Sequence, residues 1–319
     1  MFNAKINQMK DSIYYHIIRL MRPRQWLKNT SLFAGVFFAE QLFDESSLLK
    51  VLFAFIIFSM VASGVYIFND IIDLPRDEKH PIKKNRPIAS KKISIQLAWG
   101  LCVSLIFLGI LFAIKLNLYF SLAILAYVLM QLFYTLVFKN VIIIDALIVA
   151  FGFVIRVFAG ALVLSINISS WLVLATIGLA LLLAFGKRKS ERTLITKTLD
   201  TVAIETRPIL NRYPESLLDS MISTSASFTM ITYSLFAFLV SPMQPSKFFV
   251  SFLPSSLSSP KWMMLTIPIV IYGVARYLYV IYEKKEGESP ERVLLSDFPL
   301  LFAITLWVFV TFIIYYVIT

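Results

Sequence analysis

Residues 51–68 read VLFAFIIFSMVASGVYIF, and residues 69–77 continue as NDIIDLPRD. The first part is apolar over nearly the ~20 residues that an α-helix needs to cross a bilayer. The second part holds Asp70, Asp73 and Asp77, so three carboxylates follow the apolar run directly. Because charged groups are costly within lipid, these residues are predicted to lie where a membrane-spanning helix meets water.

The composition of the whole chain predicts the same environment. Of the 319 residues, 58% are hydrophobic and 15% are charged. Within lipid every backbone polar group must be satisfied inside its own segment, so each span is predicted to be helical. The predicted fold class is all-α: a polytopic membrane protein with about nine transmembrane helices. The predicted helices cover residues 30–44, 51–69, 93–114, 118–138, 141–165, 169–186, 221–241, 262–282 and 298–317.

The placement of the positive charges predicts an orientation. A net charge of +11 would also suit a nucleic-acid-binding protein, but 24 lysines and arginines fall on the segments that alternating spans place on one side, against four on the other. Cytoplasmic loops of membrane proteins are the basic ones. The N-terminus is therefore predicted to be cytoplasmic and the C-terminus to lie outside, and no nucleic-acid partner is predicted.

Two regions are predicted along the chain. Residues 1–29 are charged throughout, and apolar residues at helical spacing in 8–22 predict an amphipathic helix in the membrane interface. Residues 30–319 form one integral membrane domain. Its only cysteine, Cys102, excludes a disulfide within the chain and is predicted to be a buried, inert thiol.

The acidic motif predicts a metal site. On a helix Asn69 and Asp73 are four residues apart, and Asp70, Asp73 and Asp77 would share one face. Carboxylates this close repel one another unless a cation lies between them. Mg²⁺ takes one or two carboxylates and completes its shell with phosphate oxygens and water. Positive side chains for a polyanion follow at once: Arg76, Lys79, Lys83, Lys84, Arg86, Lys91 and Lys92. The pattern predicts a Mg²⁺-diphosphate site at the membrane surface.

Ionisable residues also occur inside a predicted span. Asp145 and Arg156 are eleven residues apart, which is about three helical turns, so both would lie on one face of the helix. Such groups are costly in lipid unless they are paired or face water. Two on one face predict a polar cavity that opens to the cytoplasm. The alternative is a structural ion pair with a neighbouring helix.

Two further segments combine basic and polar residues near span ends. GKRKSER at 186–192 includes Lys187, Arg188 and Glu191, and Glu191 could orient Arg188, contribute to the metal site, or lie on a solvated surface. RPRQWLKN at 22–29 places Gln25 and Lys28 at a predicted helix start, where phosphate is favoured. An interfacial anchor through tryptophan and basic residues is the alternative for this second segment.

These motifs resemble the UbiA-type intramembrane prenyltransferases. The first aspartate-rich motif of that family, N-D-x-x-D-x-x-x-D, is matched by Asn69, Asp70, Asp73 and Asp77. The chain is most similar to the phosphoribosyltransferase branch of the family. The segments that carry this resemblance are RPRQWLKN at 22–29, HPIKKNRPIAS at 80–90, Tyr134 with Lys139 and Asp145, Arg156, GKRKSE at 186–191 and SDFPL at 296–300. Many prenyltransferases carry a second D-x-x-x-D motif, whereas Asp145 is followed by Val149, which favours the same branch.

The resemblance implies transfer of a 5-phosphoribosyl group from phosphoribosyl diphosphate to a polyprenyl phosphate, with Mg²⁺ as cofactor and diphosphate as leaving group. It implies a UbiA-type bundle in the bacterial plasma membrane with a cytoplasm-facing cavity, and a product that feeds arabinan synthesis. The implied metal ligands are Asn69, Asp70, Asp73 and Asp77. The implied catalytic residues are Asp73, Asp77, Lys139, Asp145 and Arg156. The implied substrate-binding residues are Gln25, Lys28, Asn69, Lys79, Lys83, Lys84, Arg86, Tyr134, Lys187, Arg188 and Glu191.

Two other functions remain alternatives. A prenyltransferase of the same family would use an isoprenyl diphosphate and an aromatic or other acceptor. A transporter or lipid-binding protein would carry polar residues near mid-membrane and broken helices in both halves, whereas the charges here gather mainly on one side. The sequence leaves open whether the chain forms a homo-oligomer.

Overall fold

A computed structural model describes residues 12–80, 83–198, 209–241, 261–284, 293 and 296–318. Throughout these residues the secondary structure is helical and includes no strand, as the sequence predicts. The α-helices are α1 Ile13–Met21, α2 Phe33–Phe38, α3 Glu45–Ile72, α4 Leu74–Asp77, α5 Ile95–Leu116, α6 Leu118–Leu136, α7 Ile144–Leu164, α8 Ser170–Thr198, α9 Ile209–Arg212, α10 Glu215–Leu239, α11 Ile267–Tyr279 and α12 Phe298–Ile313. Shorter 3₁₀ pieces are Pro23–Leu32, Lys83–Asn85, Phe138–Asn140 and Trp262–Thr266, and Val280–Lys284 and Ile314–Ile318 are π-helical.

Eight helices in the described part of the chain are long and apolar enough to cross a membrane. The ninth predicted span, over residues 30–44, differs from the prediction. The 3₁₀-helix Pro23–Leu32 leads into the short helix α2 there. Because a 3₁₀-helix rises ~2.0 Å per residue, the two pieces together extend about 29 Å, close to the thickness of the hydrocarbon core. A stretched, irregular element therefore takes the place of the predicted α-helix.

Helix α1 confirms the amphipathic helix predicted near the N-terminus, as far as residues 12–22 are described. His16 and Leu20 face the bundle and are buried, while Tyr14 and Ile18 are exposed. Residues 8–11 of the predicted helix lie outside the described residues. The interfacial location of α1 stays a prediction.

Helix α3 is central to the first half of the bundle. It packs against α5, α6, α7 and the 3₁₀-helix 23–32 around a core that contains Phe58 and Tyr127. Gly160 on α7 lets the 3₁₀-helix come close, because a Cβ at this position would lie 1.9 Å from the backbone oxygen of Leu32. A second core, which includes Phe185, Leu218 and Tyr277, joins α8, α10 and α11.

Two aspartates define helix starts. Asp44 caps α3 by accepting a hydrogen bond from the Ser47 amide at 2.8 Å. Asp297 caps α12 by accepting from the Leu300 amide at 3.1 Å, and it also accepts two hydrogen bonds from Arg276, each 2.9 Å long. Both residues therefore have structural tasks at helix ends.

Candidate active site

The aspartate-rich motif does not continue α3 as a single helix. α3 ends at Ile72, Asp73 is its C-cap, and α4 starts anew at Leu74 with Pro75 in its first turn. The prediction that Asp70, Asp73 and Asp77 share one helix face is therefore wrong, because a helix break separates them. The four motif residues form two pairs that point to different neighbours. The end of the bundle that carries them is called the motif end below.

The first pair is Asn69 and Asp73, which face the end of α6. Lys139 donates to Asp73 Oδ1 at 2.5 Å, and Thr135 donates to Asn69 Oδ1 at 3.3 Å. Asn69 and Asp73 are four residues apart, and so are Thr135 and Lys139. Residues at this spacing lie on one side of a helix, so the two contacts join the end of α3 to the end of α6. Asp73 and Lys139 line a cavity of about 200 Å³ together with Arg76, Thr135 and Asn140.

The second pair is Asp70 and Asp77, which two arginines neutralise. Arg86 Nη1 donates to Asp70 at 2.9 Å and to Asp77 at 2.5 Å, and Arg22 forms a further ion pair with Asp70. Both carboxylates are buried. Burial raises the pKa of Asp77 above its usual value, in spite of the opposing charge of Arg86. These two aspartates therefore depend on arginine partners in the described conformation.

The metal prediction fits the first pair better than the second. Among the described residues no three carboxylate, imidazole or thiol groups are close enough together to form an ion site. Asn69 and Asp73 nevertheless offer an amide oxygen and a carboxylate beside a cavity, which is the donor chemistry that Mg²⁺ completes with phosphate and water. Asp70 and Asp77 would first have to exchange an arginine for the metal.

The basic loop after the motif is only partly buried. Arg86 is held by the two aspartates, Lys83 is half-buried, and Lys79 and Lys84 are exposed. His80 accepts a hydrogen bond at Nδ1 from the Lys83 amide, at 3.3 Å. Burial, with the charges of Lys83 and Arg86, lowers the pKa of His80 to about 4, so its imidazole is neutral at pH 7.

A line of polar contacts joins the N-terminal segment to α3, and we call it the polar seam. Arg22 pairs with Asp70, Trp26 Nε1 donates to Ser63 Oγ at 3.0 Å, and Asn29 donates to Ser59 Oγ at 2.9 Å. The sequence indicated an anchor or a phosphate site here, but it did not indicate these partners. Gln25 and Lys28, the residues singled out in this segment, are half-buried.

Arg156 has a different place from the one predicted. Its guanidinium donates to Asn29 Oδ1 at 2.7 Å, to the Gly152 carbonyl at 2.6 Å and to Tyr127 Oη at 3.1 Å. The ring of Phe58 lies 5.2 Å from the guanidinium carbon. Each nitrogen has a protein acceptor, so in the described structure Arg156 joins α7 to the N-terminal segment and does not line a sugar-phosphate pocket with Asp145.

Asp145 belongs to a separate buried cluster, which we call the arginine cluster. Its Oδ2 lies 2.5 Å from Arg188 Nε on α8. This contact is the ion pair with a neighbouring helix that the sequence left as an alternative. Arg188 also pairs with Glu191 at 2.9 Å, so Glu191 orients this arginine, and it contacts Tyr134 Oη at 3.4 Å. The last distance is long for a hydrogen bond. Lys187, next to the cluster, is half-buried.

The arginine cluster also contains Tyr213, which the sequence analysis did not identify. Its hydroxyl donates to Asp145 Oδ1 at 2.5 Å and accepts from the Ile143 amide at 2.7 Å. Nothing in the sequence around residue 213 suggests this contact, which spans 68 positions. The arginine cluster and the cavity both contact the end of α6, because Tyr134 contacts Arg188 and Thr135 lines the cavity.

The fold agrees with what comparisons with known proteins find. The profile of the UbiA prenyltransferase family matches residues 30–298, and the chain belongs to that family. It is thus a multi-pass membrane protein of a transferase family.

Individual relatives extend over most of the chain. Decaprenyl-phosphate phosphoribosyltransferase of Corynebacterium glutamicum is 29% identical over 297 residues, which cover 92% of this chain and 84% of that protein. The protein of the same name from Mycobacterium tuberculosis is 30% identical over 257 residues, which cover 79% of this chain and 84% of that protein. Among solved structures, a UbiA homolog from Archaeoglobus fulgidus bound to GPP and Mg²⁺ superposes with a TM-score of 0.65 at 18% identity, covering 95% of this chain and all of the other.

Proposed function

We propose that this protein transfers a 5-phosphoribosyl group from phosphoribosyl diphosphate to a polyprenyl phosphate at the cytoplasmic face of the plasma membrane. The observation that carries the proposal is the cavity at the motif end. Asp73, Lys139 and Thr135 line this cavity, and Asn69 contacts Thr135. Tyr134, the residue next to Thr135 on α6, contacts Arg188 of the arginine cluster. The names of the relatives from Corynebacterium and Mycobacterium support a phosphoribosyl group as the group transferred and a polyprenyl phosphate as the acceptor.

The charges around the site suit two anionic substrates. The positive charge around the site exceeds the negative charge of the three motif aspartates. The positive residues are Arg76, Lys139 and the lysines and arginine of loop 79–86. A phosphoribosyl donor and a lipid phosphate both bring phosphate groups, and such groups bind to lysine and arginine through charge-assisted hydrogen bonds. A neutral aromatic acceptor would leave part of this positive charge unmatched.

In the proposed reaction an oxygen of the lipid phosphate attacks C1 of the ribose, the bond from C1 to the diphosphate oxygen breaks, and diphosphate leaves with the electron pair. Mg²⁺ held by Asn69 and Asp73 would take up charge on the leaving diphosphate. Lys139, Arg76 and the lysines of the loop would stabilise the same charge. The lipid phosphate is already an anionic nucleophile at pH 7, so no general base is needed. The neutral imidazole of His80 agrees with this.

The donor's 5-phosphate is assigned to Arg188 and Lys187. One nitrogen of Arg188 makes only the long 3.4 Å contact to Tyr134, so it is the part of the guanidinium that a phosphate oxygen could take over. The three nitrogens of Arg156 donate hydrogen bonds of 2.6, 2.7 and 3.1 Å, so none of them makes only a long contact.

The test uses purified protein in lipid nanodiscs that contain polyprenyl phosphate. Addition of ribose-labelled phosphoribosyl diphosphate and Mg²⁺ should move the label into the lipid fraction, and a chelator should abolish the transfer. Absence of labelled lipid from well-folded protein would reject the proposal.

Asp73→Asn supplies the matched variant. It keeps the side-chain volume but removes the charge beside Lys139, and it should lower transfer by at least about a hundredfold. Asp44→Asn at the other end of α3 is the control, because asparagine caps a helix as well as aspartate does. Equal activity of Asp73→Asn and the parent would exclude Asp73 as an essential ligand.

A prenyltransferase that uses an isoprenyl diphosphate is the second candidate. It is favoured by the matching family profile, which describes prenyltransferases. Release of diphosphate from geranyl diphosphate without any sugar donor would support this candidate.

A further inference from the structure

Tyr213 is a fully buried residue with two strong contacts to the short connection between α6 and α7. Its side chain is 0% exposed, as is that of Asp145. The same hydroxyl that donates to Asp145 Oδ1 accepts from the Ile143 amide. Since a hydroxyl has one proton and two lone pairs, both contacts are made at once, and Tyr213 ties the start of α7 to the segment before α10.

The connection that Tyr213 holds is strained. Ile143 has φ 70° and ψ −49°, and the Ile144 amide donates to the Ile142 carbonyl at 2.8 Å. These values describe the rare γ-turn with positive φ. For a β-branched residue this conformation is unfavourable by ~1–3 kcal/mol, and it persists only where the surroundings fix it. The Ile143 amide donates to Tyr213, and this is the side-chain hydrogen bond that holds the turn.

The hydroxyl keeps its proton under all ordinary conditions. Burial and the hydrogen bond to Asp145 raise the pKa of Tyr213 well above its usual value. Its ring packs in the core around Leu182, Leu218 and Ile222, so the aromatic group is anchored apart from its hydroxyl.

We propose that Tyr213 is a positioning residue for the arginine cluster: it holds the strained turn at Ile143 and fixes one oxygen of Asp145, so that the other oxygen orients Arg188. This inference rests on the proposed function for the role of Arg188. It assigns Tyr213 no contact with the substrate. Its effect reaches the reaction through Asp145 and Arg188.

The first variant is Tyr213→Phe, which removes the hydroxyl and keeps the ring in the core. A displaced guanidinium should lower kcat/KM for phosphoribosyl diphosphate by about 10- to 100-fold, because catalytic geometry tolerates little displacement. Tyr315→Phe is the control. Its hydroxyl donates to the Val240 carbonyl at 3.3 Å, at the end of α10 opposite Tyr213, and the activity of this variant should stay within about twofold of the parent.

The second variant separates positioning from direct action on the substrate. Ile143→Gly allows the turn at φ 70° without strain, since glycine adopts positive φ readily. Added to Tyr213→Phe, it should restore the part of the lost activity that comes from the turn, while the hydrogen bond to Asp145 stays absent. If Tyr213→Phe stays within about twofold of the parent, the proposal is overturned. If its activity falls and Ile143→Gly restores none of it, Tyr213 acts in another way and the proposal is equally overturned.

Hydrogen exchange at the Ile143 amide gives a measure that does not need activity. Peptides over residues 141–147 should exchange faster in Tyr213→Phe than in the parent, while exchange in α5 stays the same. If the parent transfers no phosphoribosyl group, the proposed function fails, and the exchange result alone then decides whether Tyr213 holds the turn. Unchanged exchange would overturn the proposal.

Discussion

At the scale of single residues, Arg156 illustrates how each nitrogen of an arginine inside a span can find an acceptor within the protein. Three hydrogen-bond acceptors and the rings of Phe58, Tyr127 and Phe153 surround it. An ionisable group in a membrane is conventionally a functional candidate. Here the contacts to Asn29 and Tyr127 make it a structural joint between α7, α6 and the N-terminal segment.

Arg156→Lys should therefore lower stability. Lysine cannot reproduce the planar set of donors, so about 2 kcal/mol or more of stability should be lost. Thermal unfolding in detergent should show a lower midpoint, while the KM for phosphoribosyl diphosphate in the folded fraction stays unchanged. Arg24→Lys, at an exposed position, is the control. An unchanged unfolding midpoint together with a raised KM would instead indicate that Arg156 contacts the substrate.

His80 leads to a prediction about pH. Its pKa of about 4 lies below the value of 6.5 for an unfolded chain. Between these two values the unfolded chain binds more protons, so acidification from about 6.5 towards 4 destabilises the folded protein. NMR spectra of ring-labelled histidine in His16→Gln protein should show His80 neutral from pH 8 down to pH 5. Titration near pH 6.5 would contradict a half-buried imidazole that accepts a hydrogen bond from the Lys83 amide.

The sequence identified the acidic motif, Lys139, Asp145 and Arg188 as residues of interest, and the structure gives all of them polar partners. It did not predict which partner each would take. Asp70 and Asp73 lie three positions apart, yet one pairs with Arg22 and the other with Lys139. These partners follow from the helix break at Asp73 and from contacts between residues that are 48 and 66 positions apart in the sequence. The spacing of neighbouring residues does not predict such contacts.

At the scale of elements, the structure differs most from the sequence-based prediction at the 3₁₀-helix 23–32. Hydrophobic length predicted a regular span at 30–44, because length and composition carry no signal for a stretched helix. The polar seam and Gly160 together hold this element against α3 and α7. The long apolar helices α3, α5 and α6 were predicted within a few residues, because continuous apolar runs of that length have few alternatives in lipid.

Gly160→Ala should displace the 3₁₀-helix. The added Cβ would meet the Leu32 oxygen at 1.9 Å, a backbone atom that cannot rotate away. Both the unfolding midpoint and transfer activity should fall, because the polar seam and Asn29 move with the helix. Gly100→Ala is the control, since its Cβ would meet nothing within 4 Å. Equal stability of the two variants would show that the close contact at Gly160 is unimportant.

At the scale of the whole molecule, the distribution of charge predicts the topology. The acidic motif and basic loop lie at one end of α3, and Asp44 lies at the other. The loop segments with most of the lysines and arginines are expected in the cytoplasm. The sequence supports this orientation by its charges alone.

Cysteine labelling tests the orientation in whole cells. In a Cys102→Ala background, Ser46→Cys introduces an exposed thiol at the start of α3, and Asn85→Cys introduces one in the basic loop after the motif. A membrane-impermeant maleimide should label residue 46 in intact cells and residue 85 only after lysis. The reverse pattern would place the motif end outside the cell.

The central claim is that the site moves a phosphorylated sugar onto a lipid phosphate, and a donor competition measures this most directly. Protein in nanodiscs with polyprenyl phosphate and Mg²⁺ receives ribose-labelled phosphoribosyl diphosphate and geranyl-labelled geranyl diphosphate together, with an aromatic acceptor also present. The ribose label should enter the lipid with one diphosphate released per transfer, and geranyl diphosphate should stay intact. Transfer of the geranyl label, with all ribose label left in the aqueous phase, would contradict the account.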